Sequence, residues 1–295
     1  MIVPTHVAYS DESHHNHGKH RALGVISLSS ENAKILSEEV RNLNNDSEVT
    51  EAKWKKIDSA KYRFAAEKIV NACTEYARMS KLRVDVLIWN INDQRHKIIG
   101  RDDKKNLQNM YILALSQVIF RRWNSNATWK IFPDMNTIID WDYLIKVINN
   151  PKRFTDQNKQ SQDFGWVGQR YQQKILDITE VDSTESYLCQ AIDLFTGLAV
   201  FSHDHCREYY EWVRQEIELK TGQQPLFPID KIEFSGGIQD KCKMMSCLMD
   251  ATRDKNVFDL QFLPNGGLIT KNPSSPVNFW FYESRRPDDH APVKS

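Results

Sequence analysis

The sequence predicts an α/β fold, a mixed β-sheet with helices on both faces. Three observations predict it. Two β-rich runs near the start, His6–Ser10 and Leu23–Leu28, flank a polar stretch, Ser13 to His20, that reads as a hairpin loop. Helical and strand periodicities then alternate along the chain, which suits a mixed sheet better than an all-parallel one. Finally, Val84–Ile91 is a nearly continuous apolar run of strand length, the pattern of a strand buried on both faces.

Each element follows from its residues. Ser29 or Ser30 can cap a helix through Ile35 to Leu43, with Glu31 in its first turn. Asn44 to Thr50 reads as a turn. From Ser59 to Met79, apolar residues recur at Tyr62, Ala65, Ala66, Ile69, Val70, Cys73 and Tyr76, the spacing of a core-packed helix. Asn106–Trp123 is a strongly apolar helix, and Thr128–Asp134 a strand that ends in an acid. Asp140–Ile148 suits a short helix, and Pro151–Tyr171 is polar enough for a mobile surface loop. Lys174–Val181 reads as a strand, Ser183–Ser202 as a helix with a continuous apolar face, and His205–Leu219 as another helix. His203-Asp204-His205-Cys206 marks the break between these helices, since adjacent helical residues share no face.

Beyond Gly222 the pattern changes. A link containing Pro225 and Pro228 leads to a short strand, a helix near Gln239–Arg253, and β-rich segments at Val257–Leu263 and Val277–Tyr282. The expected organisation is therefore one domain over residues 1–221 and a small C-terminal α/β appendage over 222–295. The appendage ends in a polar, disordered tail from Arg285 and could complete a sheet edge, bind a partner or form an oligomer contact.

Composition narrows the function classes. With 295 residues, 40% of them hydrophobic, the chain can bury a sizeable core. A formal net charge of zero argues against a protein that coats nucleic acid by bulk charge, though not against a local basic groove. No apolar run reaches membrane-spanning length, and the first residues lack the pattern of a signal peptide. The five cysteines lack paired zinc spacing and suit reduced thiols in the cytoplasm.

The chemistry is expected to lie in four acids carried by separate elements: Asp11, Glu51, Asp134 and Asp193. Asp11 closes the first strand and Asp134 a later one, so their ends coincide if the strands are parallel neighbours. Asp193 interrupts an apolar helical run, a costly position unless the charge is paired or bound to metal. Glu51 stands where the chain enters the long helix at Ser59. Magnesium and manganese take oxygen ligands, and two such ions can clamp the attacking and leaving oxygens of a phosphoryl transfer. Any one of these acids could instead be a turn residue, a helix cap or the partner of a lysine. Glu12 alternates with Asp11 on the strand and is a candidate for indirect support of the site or for solvent exposure.

Three segments, Tyr9-Ser10-Asp11-Glu12-Ser13, Glu51-Ala52-Lys53-Trp54, and Asp182-Ser183 with Gln190 to Gly197, together resemble domain-of-unknown-function family 3800 of microbial and phage proteins. The resemblance covers roughly residues 5–202. It implies a ribonuclease H-like architecture, with Asp11, Glu51, Asp134 and Asp193 as ligands of magnesium or manganese. It also implies hydrolysis of phosphodiester bonds in RNA or DNA. This chain has His14 where many members have glycine.

Lys53 could then neutralise a phosphate oxygen, and His14, within the dense cluster His14, His15, His17 and His20, could assist at the site. A polar hairpin loop explains that cluster as well. Tryptophan beside cations at Lys53-Trp54-Lys55-Lys56 and Arg121-Arg122-Trp123 would suit single-stranded nucleic acid, but solvated helix ends give the same pattern. The rival expectation is a non-catalytic ribonuclease H-like binding or partner module of a defence or mobile-element system.

Overall fold

Residues 3–13, 18–93, 102–123, 126–135, 139–150, 173–222, 232–284 and 291–292 are described by a computed structural model. The hairpin opens the chain. β1 (His6–Ser13) and β2 (His20–Ser29) pair antiparallel, with Asp11 opposite Gly24. Ser29 then caps α1 (Ser30–Asp46), its Oγ accepting from the Asn32 N–H at 3.2 Å. Ala33, Leu36, Val40 and Asn44 form the buried stripe of α1. A single 3₁₀ turn, Trp54–Lys56, leads into α2 (Ala60–Arg78).

β3 (Leu82–Asn90) pairs antiparallel with β2. Next come α3 (Asp103–Gln117), capped by Asp102 and continued by a π turn over Val118–Arg122, and β4 (Thr128–Pro133). They are followed by α4 (Trp141–Ile148), capped by Asp140, and β5 (Lys174–Ile178). Helices α5 (Tyr187–Asp204), α6 (Cys206–Thr221) and α7 (Gly236–Ala251) precede β6 (Leu260–Leu263), β7 (Gly267–Thr270) and β8 (Val277–Phe281).

The main sheet has the order β5-β4-β1-β2-β3-β8. β4 runs parallel to β1, β5 to β4, and β8 to β3, which makes the sheet mixed as expected. One face carries a hydrophobic cluster shared with α1, α2, α5, α6 and α7, including Ile26, Val86, Ile69, Phe195 and Trp212. The other face packs Leu23, Leu87, Trp129 and Ile131 against Tyr111, Leu115 and Leu144 of α3 and α4.

The C-terminal part takes one of the roles expected of it: β8 completes the edge of the main sheet beside β3, and Met244, Leu248 and Phe279 belong to the same core as β2 and α5. Pro225 and Pro228 of the link lie outside the described residues. Between the link and α7, the described residues 232–235 carry no strand, whereas β7, which lies between the two expected β-rich segments, forms a hairpin with β6. The expected mobile loop up to Tyr171 and most of the expected disordered tail also lie outside the described residues.

Two glycines set the depth at which α5 packs. A Cβ on Gly24 would stand 2.6 Å from Thr196 Oγ1 and 2.7 Å from Ile192 Cδ1, both on α5. A Cβ on Gly197 would stand 2.1 Å from Trp54 Cγ. Overpacking of this kind typically costs about 1–3 kcal/mol. Gly197→Ala is therefore expected to lose stability of that order in urea unfolding. Gly236→Ala, where a Cβ meets nothing within 4 Å, should stay within about 0.5 kcal/mol of the parent. Equal stability of the two variants would contradict the close-contact account.

Candidate metal centre

β4 ends beside Asp11, as expected of parallel neighbours, but β1 runs on to Ser13, so Asp11 lies within its strand and does not close it. The Asp134 N–H donates to the Ser10 carbonyl at 3.0 Å, so Asp134 continues the parallel ladder beside Asp11. A bridge from Asp134 to Val181 ties this end to the segment entering α5. Strand alternation sends Val7, Tyr9 and Asp11 to the α5 face and Ala8 and Glu12 to the α3 face.

Helix α5 supplies the third acid. Gly24 is the cross-strand partner of Asp11, so the helix sits tight against the sheet beside that residue. Asp193 lies near enough to Asp11 for the two carboxyls to influence each other's protonation, and its Oδ2 accepts the Trp54 N–H at 2.6 Å. One turn earlier, Gln190 Oε1 accepts from the Ala52 N–H (3.1 Å) and from Asn44 Nδ2 (2.8 Å), while Gln190 Nε2 donates to the Ser183 carbonyl (2.8 Å). One turn later, Gly197 receives the Trp54 indole. Residues 190, 193 and 197 share a helix face, and that face holds the segment 51–54 along its length.

Glu51 is oriented differently from the three aspartates. Its Oε1 lies 2.8 Å from Lys53 Nζ and accepts from Ser183 Oγ at 3.2 Å; its Oε2 lies 2.9 Å from Lys56 Nζ. Burial works to raise its pKa, but the two lysines outweigh burial and hold it below the ordinary value. Lys53 in turn is raised: burial opposes its charge, and Glu51, with Asp134 and Asp193 nearby, outweighs that penalty.

The aspartates are shifted the other way. Asp11 is pushed well up by burial and by the charges of Asp193, Asp134 and Glu12. Burial moves Asp193 up to about 6 despite the Trp54 N–H and Lys53. Asp134 is also raised by burial, against the N–H groups of Met135 and Ser183. Among the described residues, no three His, Cys, Asp or Glu side chains stand together as a preformed metal cluster. Asp193 and Asp134 are instead held on backbone donors, the N–H groups of Trp54 and Met135.

The other sequence candidates fall elsewhere. Glu12 lies on the opposite face, where it accepts from the Tyr111 hydroxyl. His14 lies outside the described residues. His20 Nδ1 is 2.7 Å from Asp204 Oδ1, far along α5 from Asp193. Trp54 is buried against Gly197 and Phe201, so it offers no face for base stacking. Arg122 does more than close a helix: with Arg83 and Asn278 it surrounds the fully buried Asp85 on the α3 face. An isolated Asp in the run Val84–Ile91 was the available sign of that cluster.

Two curated proteins of Methanothermobacter thermautotrophicus align with nearly the whole chain. Uncharacterized protein ORF2 is 34% identical over 294 residues and Uncharacterized protein ORF2′ is 35% identical over 295, each alignment covering 97% of both chains. The chain belongs to this ORF2 family. No family model matches it. The shared length means that the ORF2 alignment spans β8 and α7 as well as the segments carrying the acids.

A carboxyl whose folded pKa lies above its unfolded one contributes stability at low pH, and that contribution disappears as pH rises through the folded value. For Asp193 the window runs from about 4, the ordinary range, to about 6. Asparagine at 193 can still accept from the Trp54 N–H and brings no charge beside Asp11. In chelator, Asp193→Asn of this ORF2-family chain is expected to melt about 2–4 °C above the parent at pH 8, a gain on the order of 1 kcal/mol. The advantage should vanish near pH 4. A pH-independent loss of melting temperature would contradict the charge assignment.

Proposed function

We propose that the chain is a magnesium- or manganese-dependent phosphodiesterase acting on RNA or DNA, with a ribonuclease H-like core. The observation that carries this reading is the meeting of Asp11 and Asp193, next to Asp134, from a first strand, a late helix and the end of a fourth strand. Those are three of the four places at which the resemblance to family 3800 puts metal-binding acids. Five unpaired thiols suit action in the reducing cytoplasm. Among the described residues no helix is long and apolar enough to cross a membrane.

The donor chemistry fits a hard divalent cation. The three acids offer only carboxylate oxygens, the ligand type magnesium and manganese take, and they repel one another when ionised. A bound divalent ion would supply a nucleophilic water near neutral pH and polarise the phosphate. The chain's own contribution is placement. β1 and β4 fix Asp11 and Asp134 on a hydrogen-bonded ladder, and the Trp54 N–H fixes the rotamer of Asp193. The raised carboxyls also imply proton release on metal binding, so metal affinity should climb between about pH 5 and 7.

The rival reading, a non-catalytic binding module, is favoured by one observation: Glu51, the fourth expected ligand, is engaged by two lysines. Labelled single-stranded RNA, single-stranded DNA, duplex DNA and RNA–DNA hybrid, each incubated with the protein and manganese, separate the readings. Cleavage of at least one substrate is expected, reduced on the order of 100-fold or more in Asp11→Asn and Asp193→Asn with unchanged circular dichroism. Equal cleavage by parent and variants would remove the catalytic claim, and absence of cleavage together with tight oligonucleotide binding would favour the module.

A further inference from the structure

The lysine among the acids goes beyond this reading while resting on it. Lys53 is held by Glu51 at 2.8 Å, and it lies within electrostatic range of Asp134 and Asp193. Its neighbour in sequence, Trp54, supplies the N–H that fixes Asp193, and the Trp54 ring is locked onto Gly197. The backbone that carries Lys53 is therefore docked on the same helix as Asp193. Glu51 is itself committed twice, to Lys53 through one oxygen and to Lys56 through the other. That leaves Asp11, Asp134 and Asp193 as the carboxylates a cation would have to draw together, since they form no ready-made cluster among the described residues.

We propose that Lys53 takes the place of a second metal ion, so that the site works with one divalent cation and one ammonium group, and that Glu51 serves as the anchor of that lysine instead of as a metal ligand.

Charge balance supports this division. One divalent ion together with Lys53 neutralises three carboxylates, whereas two divalent ions beside Lys53 would leave the pocket with a net positive charge. An ammonium is a compact point charge on a flexible stem, able to contact a phosphate oxygen without a fixed bidentate geometry. In hydrolysis the water oxygen forms a bond to phosphorus and the bond from phosphorus to the leaving ester oxygen breaks. One proton of the water ends on that leaving oxygen, and the other stays with the new phosphomonoester or passes to solvent. Lys53 keeps its proton throughout and opposes the negative charge gathering on the phosphoryl and leaving oxygens. Glu51 touches none of the reacting atoms in this scheme and acts as a positioning residue.

Manganese titration of the whole chain by calorimetry, without substrate, tests the assignment directly. One site is expected in the parent and no heat in Asp11→Asn. Lys53→Met removes a cation from among the ligands, so it should bind manganese several-fold more tightly or admit a second ion. The same variant should cleave the oligonucleotide set on the order of 100-fold more slowly, with partial recovery in Lys53→Arg. Two manganese sites in the parent would overturn the inference while leaving the nuclease reading intact. So would unchanged cleavage by Lys53→Met, or weakened manganese binding in step with a lowered melting temperature, the pattern of a merely structural lysine. No heat in the parent would sink the metal reading and this inference together. If one ion binds and no oligonucleotide is cleaved, the nuclease reading fails, and the affinity of Lys53→Met alone decides whether the lysine competes with the ion.

Discussion

The close seating of α5 on the β1–β2 hairpin is the constraint on which the rest of the site depends. Gly24 provides the space on the strand side, opposite Asp11, and Gly197 provides it on the helix side, where Trp54 inserts. A Cβ on Gly24 would press on the helix itself and one on Gly197 on the Trp54 ring, so either would disturb the seating of Asp193 beside Asp11. Packed interiors respond to a single added carbon because they have little void to absorb it. The acids thus meet because apolar packing forces them together, and their mutual repulsion is tolerated because the surrounding core, including Ile192, Phe195 and Leu198, is large.

That arrangement separates two kinds of buried charge in one sheet. On the α3 face, Asp85 is fully buried but surrounded by Arg83, Arg122 and Asn278, which reach it from its own strand, the π turn and β8. Such a cluster fixes the position of the last strand and has its countercharges built in. On the α5 face, Asp11, Asp134 and Asp193 have one lysine among them and carry raised pKa values. Buried carboxyls with so little countercharge and raised pKa values are the pattern that marks a candidate site. Lys53 supplies part of that countercharge, and Glu51 keeps it charged.

Much of this was legible in the chain. The hairpin, the Ser29 cap, the long helix from Ser59 and the break at His205 follow from local spacing and capping, and each element is present close to its expected range. Asp11 and Asp134 are marked in the sequence as acids that follow short β-rich runs, and Asp193 as an acid inside an apolar helical run, where an unpaired charge is costly. What could not be read was long-range. Lys53 and Glu51 are two residues apart, and nothing in that spacing says whether the glutamate binds a cation from outside or the lysine beside it. Val277–Phe281 read as a strand, but only the sheet register shows that it pairs with β3 and joins the main core. Trp54 beside three lysines looked like a stacking platform, because the glycine that buries its ring lies 143 positions away.

The central claim is that packing of α5 on the hairpin creates one cation cradle from Asp11 and Asp193, with Lys53 at its edge. A crystal soaked in manganese and measured at an anomalous-scattering wavelength tests it most directly. The account predicts a single anomalous peak in contact with carboxylate oxygens of Asp11 and Asp193, and Lys53 still paired with Glu51. A peak coordinated by Glu51, or no peak between the two aspartates at saturating manganese, would contradict it.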